Sequence, residues 1–83
     1  MQIITLENQR QWGSNTITAH MPDGKLRFHD NAYHEVNQIV TEYLNMGFSA
    51  PQNEIGKFIA NVTRIIDTNR TPIVKNSLTL IKK

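Results

Sequence analysis

Apolar residues recur along this chain with two different periods, and the change of period marks out its elements. Between Ser49 and Asn69 the residues Ile55, Phe58, Ile59, Val62, Ile65 and Ile66 fall at i, i+3, i+4, i+7, i+10 and i+11. That spacing makes one stripe of a helix and leaves Glu54, Lys57, Asn61, Arg64 and Thr68 on the opposite side. Ser49 followed three residues later by Gln52 reads as a capping box, and Pro51 is tolerated in a first turn. An earlier stripe, Tyr33, Val36, Ile39, Val40, Tyr43 and Leu44, predicts a first helix from Asp30 or Asn31 to about Met46. Gly47 suits a left-handed helix end, with Phe48 packing back on the last turn. The link between the helices is so short that they must touch.

Elsewhere the period is two or absent. Gln2 to Leu6 is a short β-type run, whereas Glu7 to Asn15 has no period and reads as a loop carrying Trp12 beside Gly13. Thr16 to Met21 alternates, and so does Lys25 to His29, with the turn signal Pro22-Asp23-Gly24 between them. Two registers compete for this hairpin. A three-residue loop with a glycine bulge pairs Met21 with Lys25 and puts Thr18 and His20 on the face of Leu26 and Phe28. Pairing Met21 with Gly24 aligns Ile17 and Ala19 with Phe28 and Leu26 instead, which gives one clean apolar face. A slip of one residue flips every side chain, so the apolar pattern is taken to decide.

Asn69 and Thr71-Pro72 are expected to end the second helix. Ser77 to Ile81 is β-prone, with Leu78 and Leu80 on one side, and is expected to pair with Gln2 to Leu6. Residues 70–83 are then either a terminal strand or a basic tail. The layout is an α+β domain over 1–83, in the order β-β-β-α-α-β. An antiparallel sheet, made of the hairpin plus the terminal strands, is covered on one face by a two-helix hairpin.

Composition narrows the class. Eighty-three residues with no cysteine make one small domain without disulfides or thiolate metal sites. A cytoplasmic, soluble protein is expected, since nothing in the chain reads as a leader or a membrane span. Net charge is only +2, but it is unevenly placed. Residues 70–83 hold Arg70, Lys75, Lys82 and Lys83 and no acid, while residues 30–54 hold Asp30, Glu35, Glu42 and Glu54 and no Lys or Arg. Two surfaces of opposite sign are implied.

Candidate chemistry is sparse. His20, His29 and His34 lack the fourth ligand and the spacing of a metal site, so no metal or cofactor is expected. Glu35 and Glu42 lie along one solvent-facing helix edge, which offers no cleft for paired-carboxylate catalysis. The four glycines are isolated and build no phosphate cradle. No enzyme is expected.

Binding is the better expectation. Lys25, Arg27 and His29 form a row on one strand face, expected beside Thr16, Thr18 and His20, as a β-ribbon that meets nucleic acid would. Lys57, Asn61 and Arg64 make a second polar row on the second helix, partly offset where Glu54 meets Lys57 and Asp67 meets Arg64. Residues 25–68 also run strand, helix, Gly47-Phe48-Ser49 turn and helix, which resembles the element order of ribbon-helix-helix repressors. It departs from that pattern in a hairpin partner on the strand edge and a longer first helix, and no site residue is carried over. The leading expectation is therefore a non-catalytic nucleic-acid-associated regulator or accessory factor acting through Lys25, Arg27, His29, Lys57 and Arg64. The alternative is a protein-interaction module (inhibitor, adaptor or subunit) that docks through Arg10, Trp12 and the acidic helix face of Glu35 and Glu42. A homodimer is compatible with either, because a small two-layer domain leaves one side open.

Overall fold

The computed structural model describes residues 1–11, 13–65 and 73–83. Four strands and two helices follow in the order β1 (Gln2–Gln11), β2 (Ser14–His20), β3 (Leu26–His29), α1 (Ala32–Asn45), α2 (Gln52–Thr63) and β4 (Val74–Lys82). The strands form one antiparallel sheet ordered β3-β2-β1-β4, with both helices on one face. This is the expected α+β layout, and the terminal strands do pair, Ile4 with Leu80 and Leu6 with Leu78.

The core is built by alternation. Ile4 and Leu6 of β1, Ile17 and Ala19 of β2, and Leu78 and Leu80 of β4 all point to the helix side and are buried. From the helices they meet Val36, Ile39, Val40 and Tyr43 of α1, and Ile55, Phe58 and Val62 of α2. Each large side chain so removed from water contributes roughly 1.5–3 kcal/mol, which is why the register of the central strands is firmly set.

Several expectations need correction. Residues 7–15 are not a loop. β1 continues to Gln11, β2 begins at Ser14, and the two close a hairpin through Gly13. The apolar period is missing there because the inward positions are Asn8, Arg10 and Asn15, which are held by hydrogen bonds rather than by apolar packing.

The second helix is shorter than its stripe, running Gln52–Thr63 rather than 49–69. At its start Ser49 does not cap it. The Ser49 backbone exchanges two hydrogen bonds with Ile81 at 2.9 and 2.8 Å, and Pro51, which has no N–H to satisfy, takes the cap position. At its end Arg64 turns extended, and Ile65 stands 88 % exposed. The expected stop at Asn69 and Thr71-Pro72 lies outside the described residues. In α1, Tyr33 is exposed rather than part of the inward stripe, and Ala32 is buried instead.

The β2–β3 register follows the turn, not the apolar pattern. Met21 N–H donates to the Lys25 carbonyl at 2.9 Å, Gly24 N–H donates to the Met21 carbonyl at 3.0 Å, and Gly24 takes φ +86°. The Lys25 N–H is held by the Asp23 carboxylate at 3.0 Å. This is the three-residue loop with its glycine in the left-handed region. His20 therefore pairs with Leu26 and Thr18 with Phe28. The apolar pattern loses because α1 packs over β2, so the inward side of edge strand β3 meets only the helix rim.

Candidate functional site

The turn-set register decides which side chains β3 presents to which face. Arg27 and His29 pair with Ala19 and Ile17, so they share the inward face with the core and do not lie beside Thr18 and His20. Arg27 fills that position by reaching the Glu42 carboxylate at 3.3 Å and lying 5.9 Å from the Tyr43 ring centre. His29 is half-buried, and its Nε2 has no hydrogen-bond partner among the described residues. The Tyr43 hydroxyl is likewise buried and unpartnered among them. Burial pushes the Tyr43 pKa up, while the neighbouring Arg27 cation pulls the other way.

The five residues expected to meet nucleic acid are not brought together. Lys25, Arg27 and His29 belong to the β3 side of the sheet, whereas Lys57 lies on α2 and Arg64 just past its end, and α2 packs over β4 at the other edge. A different basic group forms instead. Lys25 and Arg27 come together with Lys82, which the sequence grouped instead with the basic residues Arg70, Lys75 and Lys83, around an open groove of about 590 Å³. Its apolar walls include Met21, Leu26 and Met46. Lys82 also lies 5.8 Å from the Phe48 ring centre, beside the left-handed Gly47 that ends α1. Among the described residues the only acid lining this groove is Asp23, already engaged with the turn.

The expected docking set is divided as well. Trp12 lies outside the described residues. Arg10 is not an exposed companion to it but a buried structural group, 7 % exposed. Its guanidinium donates to the carbonyls of Asn61 and Arg64 at the end of α2. Those carbonyls would otherwise lack partners, and a cation suits the negative end of a helix. Burial, and then the nearby Arg64, lower the Arg10 pKa from its ordinary value. Glu35 and Glu42 do share α1, but Glu42 is engaged by Arg27.

Sequence reasoning expected a basic row on the outer face of the sheet and missed the apolar residues that stand there. No helix covers this face. Because the β2–β3 register is the turn-set one, Leu26 and Phe28 stand on this face, 48 % and 69 % exposed. Ile3 and Ile81 pair with one another at the opposite corner and are also exposed. Between these corners lie Thr5, Thr18 and Thr79, with Glu7 and His20 in contact at 3.3 Å. The available signal was the Pro22-Asp23-Gly24 turn, which specified this register against the apolar pattern.

Among the described residues no His, Cys, Asp and Glu cluster could hold a metal ion, and no helix is long and apolar enough to cross a membrane. Compared with known proteins, the chain matches no family model, no curated protein sequence and no solved structure.

Proposed function

We propose that the protein is a small non-catalytic binding domain that recognises a partner protein through the uncovered face of its sheet. The observation that carries this reading is the exposure of Phe28 and Leu26 on a regular four-stranded face. Exposed aromatic side chains on a rigid scaffold are favourable anchors for a partner, because little conformational freedom is lost on binding. The face also mixes threonines with a Glu7–His20 contact rather than carrying a run of one sign. That composition suits a protein surface better than a phosphate backbone. The absence of cysteine accords with a reducing compartment such as the cytoplasm.

The test is capture of partners from the source cell with wild-type protein and with Phe28→Ser. The substitution is made on an exposed side chain, so the melting temperature should hold while the captured partner is lost. Equal capture by both forms would sink the reading.

A second reading is favoured by the Lys25, Arg27 and Lys82 groove, whose cations and apolar walls suit an anionic ligand such as a nucleic-acid segment. Fluorescence anisotropy with labelled DNA duplex, DNA single strand and RNA separates the two. Nucleic-acid binding would weaken steeply with salt and fall in Lys25→Ala and Lys82→Ala. The protein-docking reading expects no salt-dependent binding of this kind.

A further inference from the structure

Among the described residues the two edges of the sheet carry no further strand, and they are unequal. β3 offers four residues, whereas β4 offers nine in a regular ladder. Backbone groups alternate along β4. The N–H and C=O of Asn76, Leu78 and Leu80 face β1, and those of Lys75, Ser77, Thr79 and Ile81 face away. Ile81 fixes this phase, because it exchanges its two outward bonds with Ser49. Among the described residues nothing else takes the outward groups of Lys75, Ser77 and Thr79. Along this stretch α2 and the strand leave a groove of about 380 Å³, with Glu54, Lys57 and Asn61 on the helix side and Asn76 and Leu78 on the strand side.

Unpaired ladder groups in a row specify their own occupant, which is another extended backbone. We propose that the β4 edge from Lys75 to Thr79 accepts an extended peptide segment of a partner protein by strand addition. Its alternate side chains then enter the groove beside α2. This deepens the reading of the protein as a protein-binding domain and rests on it. Ser49 already makes such an addition at Ile81, one residue long, at the end of the same edge.

Geometry decides against a second copy as the occupant. Strands pair at about 4.8 Å, while packed helices need about 8–10 Å between axes. Since α2 packs over β4, pairing β4 with its own copy would drive the two α2 helices together. A peptide brings no helix of its own.

Charge then sets the direction of the segment's chemistry. α2 begins just after Ser49, beside Ile81, and its end is held by Arg10, opposite Val74. Glu54 therefore lies toward Thr79, and Asn61 lies toward Asn76. The preferred segment carries a basic inward residue at the Thr79 end and an acidic one beside Lys57.

The experiment uses the full chain, ¹⁵N-labelled, and random nonapeptides displayed on phage. In the free protein the amides of Ser77 and Thr79 should exchange rapidly with solvent, while those of Asn76 and Leu78 exchange slowly. Enriched peptides, resynthesised, should slow the Ser77 and Thr79 amides. Ser77→Pro removes only an outward N–H, so it should leave the fold and weaken peptide binding by about tenfold or more. Lys57→Glu, which needs no change in the strand, should shift the enriched peptides from acidic to basic at the facing position.

Failure to enrich any peptide, or enriched peptides that protect no outward β4 amide, would overturn the proposal. So would slow exchange at Ser77 and Thr79 in a free protein of dimeric mass, since a second copy would then hold the edge. Loss of the captured partner with Phe28→Ser, while peptides still bind β4, keeps the two surfaces distinguishable.

Discussion

Asn8 donates from its Nδ2 to the Oδ1 of Asn15 at 2.7 Å, and the two amides turn the polar end of the core into a connected chain. Asn76 of β4 donates to the Asn8 Oδ1 at 3.0 Å, Asn8 also donates to the Thr16 carbonyl at 2.9 Å, and Asn15 donates to the Val62 carbonyl at 3.0 Å. The relay crosses three strands and ends on the last turn of α2. It explains how a position only 1 % exposed can hold an asparagine.

Asn8→Leu is expected to destabilise the fold by roughly 2–4 kcal/mol, because it leaves the half-buried Asn76 donor and the acceptors on Asn15 and Thr16 without their partner. Urea unfolding followed by circular dichroism measures this. A change below the uncertainty of the extrapolation would mean that the relay is replaced by water.

Arg10→Met keeps the aliphatic stem but removes the donors to Asn61 and Arg64, and should cost about 2–3 kcal/mol. Hydrogen exchange should speed up first in the last turn of α2, before the central strands open. Uniform acceleration across the molecule would assign Arg10 to the global core rather than to the helix end.

Tyr43→Phe should hold or raise stability, since it deletes a buried hydroxyl with no partner among the described residues. The same hydroxyl carries a pH dependence. Its pKa is raised in the folded state, so the folded protein favours the neutral form. This contribution is fully present below the unfolded pKa of about 10 and is lost as pH rises through the folded value. Melting temperatures between pH 8 and pH 11 should fall at the alkaline end, and the fall should be smaller in Tyr43→Phe.

Arg27 and Glu42 are both about half exposed, and a double-mutant cycle should find a coupling below about 1 kcal/mol that shrinks with salt. Gly24→Ala tests a stronger local constraint. At φ +86° a Cβ is strained even in open space, so a loss of about 1–2 kcal/mol is expected, together with weakened protection of β3.

Most of the fold was legible because its core follows simple periods. Ile17 and Ala19, Leu78 and Leu80, and the stripe from Val36 to Tyr43 all lie where alternation and helical spacing put them. The failures share a cause. Asn8, Arg10 and Asn15 are inward yet polar, so β1 and β2 vanish from an apolar pattern just where hydrogen bonds replace packing. Leu26 and Phe28 are outward yet apolar, so the pattern misassigned their face, and Arg27 and His29 with it. The candidate surface is built from that exception. Helix length misled for another reason, since Ile65 continues the α2 stripe but stands in solvent beyond the point where Arg10 and Asn15 close the helix.

The placement of β1 has a consequence for the order in which this chain can be assembled. Its second strand is available at once as a hairpin partner, but the partner on its other side comes from the far end of the sequence, with Gln2 opposite Lys82. That pairing spans almost the whole chain and is the most expensive closure in the sheet in conformational entropy. During synthesis Ile4 and Leu6 wait beside Ile17 and Ala19 with one flank bare until Leu78 and Leu80 emerge. Folding is therefore expected to finish only once the last strand is clear of the ribosome, and trimming residues 78–83 should unfold the domain rather than shorten it.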